Sequence, residues 1–226
     1  MTQTHPEARA PRSAALQARH AQLAAARVIP VLRYDTAETA AYAAEVAISA
    51  GCRSIELTWT TPGVLDVLLE LRRKHGDTII LGVGTVLNHT HAHDAVKAGA
   101  DFLVSPGIVP DIVGLAHAAD VLCLMGAFTP SEVIAARELK ADVIKIFPAD
   151  TGGPAHLKSL KSVFPDTTFC PTGGVTAQNM GDYFAAGAGM VGIGSNLYDK
   201  AAFTQRDTSA LVEQIQKTLA AAVVSR

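Results

Sequence analysis

The chain carries short β-rich runs at regular intervals, and this recurrence restricts its fold more than any other feature. Eight such runs occur, and successive runs begin 20 to 26 residues apart. This spacing leaves room for one helix between two strands, and strands joined through a helix run parallel. The pattern predicts a (β/α)8 TIM barrel, with an open doubly wound sheet as the alternative. The predicted strands are 28–33, 54–60, 78–85, 101–105, 121–125, 142–147, 168–172 and 190–194.

Helix start and stop signals lie between these runs. Asp35 with Glu38, and Thr129 with Glu132, have the spacing of capping boxes, and Pro130 suits a first helical position. Three glycines are placed to end helices just before the second, fourth and eighth strands: Gly51, Gly99 and Gly187.

The length of the chain is that of one barrel. It has 226 residues, of which 49% are hydrophobic, so it can bury a large core. We predict a flexible tail at residues 1–12 and a barrel over residues 13–226 that begins with a short Ala-rich helix. Residues 1–27 are rich in Ala and Arg, with Glu7 as their only acid. An organelle transit peptide would share that bias. A secretory signal would have a continuous apolar core, which these residues lack.

Charge and cysteine content restrict the partners and the compartment. The formal net charge of -2 predicts no nucleic-acid surface, and no apolar run is long enough to span a membrane. A small molecule is therefore the predicted partner. Three scattered cysteines argue against a disulfide framework and for a reducing compartment, which predicts a cytoplasmic protein.

One charged residue interrupts the apolar run 143–148, and this is Lys145. Burial disfavours an unpaired ammonium, and a neutral amine is a nucleophile. A lysine that reaches water past an apolar stem, or one paired with a carboxylate, would show the same pattern. Alternation along a barrel strand places Glu56 in the lumen and lets Lys145 share it. The pair is our candidate catalytic centre.

Polar residues and glycines follow several strands, at the rim where TIM barrels keep their chemistry. Arg33, Thr85 and Thr172 end the first, third and seventh strands. The last two strands lead into glycine loops, and such loops commonly bind phosphate through backbone N–H groups. Tight turns alone would also require glycine. The loops lack a dinucleotide fingerprint, so no nicotinamide cofactor is predicted. The loop residues are Gly173 and Gly174 after the seventh strand, and Gly194 and Ser195 after the eighth.

Five motifs, in order along the chain, resemble those of the 2-keto-3-deoxy-6-phosphogluconate (KDPG) aldolases, which include the 4-hydroxy-2-oxoglutarate (KHG) aldolases. They are Ile-Glu-Leu-Thr at 55–58, Gly-Val-Gly-Thr-Val at 82–86, Ser-Pro-Gly at 105–107, Lys-Ile-Phe-Pro at 145–148 and Pro-Thr-Gly-Gly-Val at 171–175. The resemblance implies a class I aldolase, without metal or cofactor and often trimeric. Such an enzyme splits a 2-keto-3-deoxy sugar acid into pyruvate and an aldehyde, which is glyceraldehyde 3-phosphate for the standard substrate.

The resemblance also implies a role for each matching residue. Lys145 matches the Schiff-base lysine, and Glu56 matches the glutamate that moves protons. Arg33 and Thr85 match residues that hold the pyruvate carboxylate, Pro106 matches a wall beside the keto acid, and Thr172 matches a hydroxyl that lines the substrate channel. The residues that match the phosphate cradle are Gly173, Gly174, Gly194 and Ser195.

Several positions leave the substrate open. Thr60 stands where many members have arginine, Met125 replaces a usual proline, and Thr172 differs from the valine of galactonate-type aldolases. The substrate can therefore be KDPG, its galactose-configured isomer or KHG. A phosphosugar epimerase or decarboxylase barrel, and a barrel that only binds, are further alternatives.

His89 and His93 are one helical turn apart, but we predict a solvated helix start there and no metal site. Residues 150–154 are predicted to form a mobile loop above the pocket.

Overall fold

A computed structural model describes residues 13–224, and the predicted tail at residues 1–12 lies outside this part. All eight predicted strands are present, and they form one parallel sheet in the order β7-β6-β5-β4-β3-β2-β1-β8. A bridge between Thr172 and Gly192 joins the two end strands, so the sheet closes and the predicted TIM barrel is confirmed. The strands are β1 Val28–Leu32, β2 Ser54–Thr58, β3 Ile80–Gly84, β4 Phe102–Val104, β5 Leu122–Ala127, β6 Val143–Ile146, β7 Phe169–Pro171 and β8 Val191–Ile193.

Helices surround this sheet, with one helix before β1, one between each pair of successive strands, and two after β8. They are α1 Ala14–Ala26, α2 Ala37–Ser49, α3 Val64–His75, α4 His89–Lys97, α5 Asp111–Ala118, α6 Pro130–Glu138, α7 Ala149–Val163, α8 Met180–Ala185, α9 Lys200–Thr204 and α10 Thr208–Val224. None of the helices in the described part is long and apolar enough to cross a membrane.

The capping predictions have different outcomes. Thr129 and Glu132 form the predicted capping box of α6. The prediction for Asp35 was wrong by one residue, because Thr36 caps α2 and its hydroxyl accepts a hydrogen bond from the Thr39 amide at 3.2 Å.

Alternation along the strands divides the core into two layers. Ile55, Leu57, Ile144 and Ile146 pack with helix residues in the outer layer. The lumen holds a separate apolar cluster of strand residues, which includes Phe102, Leu122 and Val143. Leu16 and Leu23 of α1 pack into this inner cluster, so α1 closes the amino end of the barrel. Polar groups of the lumen therefore lie above an apolar floor.

One ion pair fastens α1 to the barrel floor. Arg19 of α1 donates to Asp101, which precedes β4, over 3.1 Å. Asp101 also accepts a hydrogen bond from the Leu81 amide at 2.9 Å and pairs with Arg72 of α3. One carboxylate thus links α1, β3 and α3 at the closed end of the barrel.

The loop predicted at residues 150–154 is instead helical, so that prediction was wrong. Helix α7 begins at Ala149 and is interrupted at Gly153, which has a φ of 65° and is followed by Pro154. The first amides of α7 are already bonded: Ala149 donates to the Thr172 carbonyl at 2.9 Å and Asp150 to the Gly173 carbonyl at 3.2 Å. These bonds hold the segment as a helical turn beside the end of β7.

Candidate active site

A lysine and a glutamate face each other across the lumen. Strands β2 and β6 lie opposite one another in the eight-stranded ring, and each contributes one inward residue. Lys145 Nζ lies 3.6 Å from Glu56 Oε1, with only 8% and 3% of the two side chains exposed. No described residue donates a hydrogen bond to Glu56 Oε1. A buried oxygen that lacks a donor in the protein needs an explanation, and a bound ligand is one.

Glycine on the neighbouring strand makes room for Glu56. A Cβ atom at Gly84 would lie only 2.0 Å from Glu56 Oε1, so no other residue fits there without moving the carboxylate. Gly126 pairs with Lys145 in the sheet, and a Cβ there would lie 2.1 Å from the Pro106 carbonyl carbon. The predicted wall residue Pro106 therefore packs against the strand next to Lys145.

Cys170 is a second potential nucleophile in the lumen, and the sequence analysis missed it. It pairs with Lys145 in the β6–β7 register, and its sulfur lies 3.8 Å from the Thr172 hydroxyl. Burial raises the pKa of the Cys170 thiol to about 12, against smaller lowering effects from Thr172 and Lys145. The thiol therefore stays protonated near neutral pH, which makes it a poor nucleophile. Alternation along β7 would have identified this residue.

Arg33 lies exposed at the carboxyl rim and contacts two hydroxyls. Its Nη1 donates to Thr60 Oγ1 at 2.9 Å and its Nη2 to Thr85 Oγ1 at 3.1 Å. Thr85 has a φ of 58°, which is uncommon for a residue other than glycine and aims its side chain from the turn after β3. Both contacts are neutral, so the charge on Arg33 is available to an anion. Thr85 was predicted here, whereas the contact with Thr60 was not.

The glycine loops after β7 and β8 adjoin each other. The Asn196 side chain donates to the Val175 carbonyl at 3.3 Å, which joins the two loops. Ser195 opens a short 3-10 turn directly after β8, and its side chain is exposed. A Cβ at Gly194 would meet nothing closer than the Val31 carbonyl at 3.8 Å, so space is open there.

Gly174 has a structural reason to be glycine. Its φ is 70°, and a Cβ there would lie 2.3 Å from Cβ of Asp150 in α7. Gly173 also has a positive φ, of 96°. The need for tight turns, which the sequence analysis left open, is therefore real at Gly173 and Gly174, and an anion cradle would be an additional use of the same backbone.

A pocket of about 760 Å³ opens beside these loops. The residues that line it include Thr176, Ser195 and Asn196, together with Tyr34, which follows Arg33 in the sequence. The pocket therefore borders both the rim of β1 and the loop after β8.

The histidines at the start of α4 make aromatic contacts. His89 and His93 stack with ring centres 6.4 Å apart, and His91 stacks on Trp59 at 4.2 Å. Within residues 13–224, no group of three or more His, Cys, Asp or Glu side chains is arranged to hold a metal ion.

Comparison with known proteins shows where this architecture occurs. The family model for KDPG and KHG aldolase matches residues 20–215. The 2-dehydro-3-deoxy-phosphogluconate aldolase of Pseudomonas aeruginosa is 34% identical over 193 residues, which cover 85% of this chain and 87% of that protein. The 2-dehydro-3-deoxy-6-phosphogalactonate aldolase of Escherichia coli is 30% identical over 172 residues, which cover 76% and 84%.

Solved structures agree with these sequence matches. The KDPG aldolase of Legionella pneumophila, crystallised with pyruvate captured at low pH as a covalent carbinolamine intermediate, superposes with a TM-score of 0.78. The match covers 88% of this chain and 96% of that chain at 31% identity. The fold and the sequence relationship therefore point to the same family.

We expect Cys170 to resist alkylation in the folded protein. With a pKa of about 12, its thiolate fraction at pH 8 is on the order of 10⁻⁴. Iodoacetamide at pH 8, followed by peptide mass spectrometry, should leave Cys170 unmodified in native protein and modify it in guanidinium-unfolded protein. Equal labelling rates in the two states would contradict the burial and the raised pKa.

Proposed function

The chain belongs to the KDPG and KHG aldolase family, whose named members are carbon–carbon lyases, and we propose that it is a class I aldolase for KDPG. In this proposal it cleaves KDPG to pyruvate and glyceraldehyde 3-phosphate. The observation that carries the proposal is the buried Lys145–Glu56 contact of 3.6 Å, in which Glu56 Oε1 accepts no hydrogen bond from the described residues.

Lys145 is the nucleophile in this mechanism. A proton that passes from Lys145 Nζ to Glu56 removes both charges from the buried site and leaves a neutral amine. The amine attacks the C2 carbonyl, and the hydroxyl of the carbinolamine leaves as water with the proton held on Glu56, which gives an iminium ion and returns Glu56 to its carboxylate form. The carbinolamine captured in the Legionella pneumophila relative supports this step.

Glu56 carries protons between successive steps. When the C3–C4 bond breaks, its electron pair moves into the iminium and forms an enamine, while Glu56 takes the proton of the C4 hydroxyl. The aldehyde leaves, and Glu56 returns a proton to C3 of the enamine. Hydrolysis then releases pyruvate and regenerates Lys145. Each proton is taken up and returned at Oε1, which has no hydrogen-bond donor among the described residues.

Binding groups divide between the two ends of the substrate. Arg33 and Thr85 hold the pyruvate carboxylate, because Arg33 is a cation whose contacts at the rim are neutral hydroxyls. Pro106 forms a wall beside the keto acid, and Thr172 lines the channel next to Cys170. At the distal end, backbone N–H groups of Gly173, Gly174, Gly194 and Ser195 hold phosphate together with the exposed Ser195 hydroxyl.

Two other substrates remain candidates because relatives carry their names. The Escherichia coli galactonate aldolase is 30% identical to this chain, close to the 34% of the gluconate enzyme from Pseudomonas aeruginosa. We favour KDPG because Thr172 differs from the valine of galactonate-type members and because the two glycine loops adjoin. KHG carries no phosphate for those loops.

We also propose a homotrimer in a reducing cytoplasm. The trimer rests on the family resemblance. The compartment is supported by the three cysteines, Cys52, Cys123 and Cys170, which are all free and buried.

Borohydride trapping tests the covalent mechanism. Reduction of the protein with pyruvate present should attach one pyruvyl group per chain, and peptide mapping should place it on Lys145. Lys145→Met should abolish the adduct, whereas Lys158→Met, which changes an exposed lysine of α7, should retain it. An adduct on Lys158 or Lys161 of the unaltered protein would contradict the assignment.

A panel of cleavage assays tests the substrate. We expect kcat/KM to be highest for KDPG, and we expect Ser195→Ala to lower it by roughly 10-fold or more, the scale of a lost hydrogen bond to a charged group. The same variant should leave kcat/KM for KHG almost unchanged, since that substrate places no phosphate there. Ser195→Ala is preferable to a change at Gly174, where a side chain would collide with Asp150. Equal losses on both substrates would contradict the phosphate site.

A further inference from the structure

We propose that Thr60 is the positioning residue of the carboxylate site, in that its hydroxyl holds Arg33 in the orientation that receives the keto acid. This inference rests on the proposed function. It concerns the exposed hydroxyl that follows β2 at the carboxyl rim.

The contacts of the guanidinium carry the inference. Arg33 donates from Nη1 to Thr60 and from Nη2 to Thr85, over 2.9 and 3.1 Å. The two acceptors lie in different turns, after β2 and after β3, so they restrain both ends of the fork. Within residues 13–224, no carboxylate lies close enough to Arg33 to form an ion pair. Neutral hydroxyls therefore fix the guanidinium without cancelling its charge.

A network of hydroxyls supports Thr60 from below. Because Thr60 Oγ1 accepts from Arg33, its own hydrogen is available to Thr58 Oγ1, which lies 3.2 Å away. Thr58 Oγ1 is in turn 3.5 Å from Thr61 Oγ1. Thr61 accepts a hydrogen bond from the Tyr34 amide at 3.2 Å. The turn after β2 thus holds both the side chain of Arg33 and the backbone of the residue that follows it.

The network is buried at Thr58 and Thr61 and reaches the surface at Thr60. Thr58 and Thr61 are 0% and 2% exposed, whereas Thr60 and Arg33 are exposed. An exposed arginine samples many rotamers unless contacts restrain it, and its planar fork loses less freedom on binding when it is oriented beforehand. Loss of the Thr60 hydroxyl should therefore weaken carboxylate binding while the reaction at Lys145 continues.

The test compares Thr60→Val with Thr60→Ser in the full-length protein. Valine keeps the branched shape and removes the hydroxyl, whereas serine keeps the hydroxyl. We expect Thr60→Val to raise the pyruvate concentration that gives half-maximal borohydride trapping by about 5-fold or more, with the trapping rate at saturation changed by less than about 2-fold. Thr60→Ser should remain within about 2-fold of the unaltered protein on both measures.

Two further variants guard the interpretation. Thr39→Val is the matched control, because the Thr39 hydroxyl bonds to Thr36 at 2.8 Å and does not touch Arg33. It should leave the half-saturating concentration unchanged. Thr60→Ala also removes the hydroxyl but leaves a smaller side chain than valine. It should therefore reproduce the effect of valine if the lost hydroxyl is the cause, and not if valine merely disturbs the turn.

Each outcome has a distinct meaning. A Thr60→Val protein that is trapped at the same pyruvate concentration as the unaltered protein would overturn the positioning role. Equal weakening by serine and valine would also overturn it, because the hydroxyl would then be irrelevant. Failure of the unaltered protein to form any adduct at Lys145 would instead refute the proposed function.

Discussion

The placement of two ionisable side chains 3.6 Å apart inside a barrel is the constraint on which the rest of this structure depends. It requires strands from opposite sides of a closed ring, and it requires glycine at Gly84 to leave space for the carboxylate. The apolar cluster below, with α1 packed across its end, gives the pair a dry floor. A buried pair of this kind contributes little net stability, because desolvation offsets the attraction between the charges. Its position is better explained by chemistry than by folding.

In our account, neutral hydroxyls and backbone amides orient or bind the charged groups at both ends of the substrate site. Arg33 is oriented by hydroxyls and not by a carboxylate, so it keeps its charge for the keto acid. The distal loops offer backbone amides on glycine and no basic cluster. At the start of α7, the amides of Ala149 and Asp150 are already bonded to carbonyls of the loop after β7. Those amides are therefore unavailable to an anion, so the proposed cradle depends on the amides of the two glycine loops.

The sequence was sufficient for the features that follow from periodicity. Strand spacing predicted eight parallel strands, and alternation placed Lys145 and Glu56 in the same lumen. Both depend on repeating backbone geometry, which the pattern of apolar residues records directly. The proximity of Arg33 and Thr85 was available from the family resemblance and from their common position at strand ends.

Features set by loop conformation were out of reach. The contacts of Arg33 with Thr60 and Thr85 depend on the turn after β2 and on the positive φ of Thr85, and neither has a periodic signal. The helical turn at the start of α7 arises from hydrogen bonds to a loop distant in sequence, so residues 150–154 read as a mobile loop. Cys170 was missed for a different reason: alternation was not applied to β7, although it would have placed this side chain in the lumen beside Lys145.

Exchange of the methyl protons of pyruvate in D₂O, followed by proton NMR without any aldehyde present, tests the central claim most directly. Exchange requires Lys145 to form the enamine and Glu56 to move the proton at C3, so the measurement reports on both members of the pair at once. We predict exchange with the unaltered protein, none with Lys145→Met, and a rate lower by about 10²-fold or more with Glu56→Gln, the usual scale for losing a positioned proton carrier. Exchange by Glu56→Gln at the rate of the unaltered protein would contradict the account, because the glutamate facing Lys145 would then not be the proton carrier.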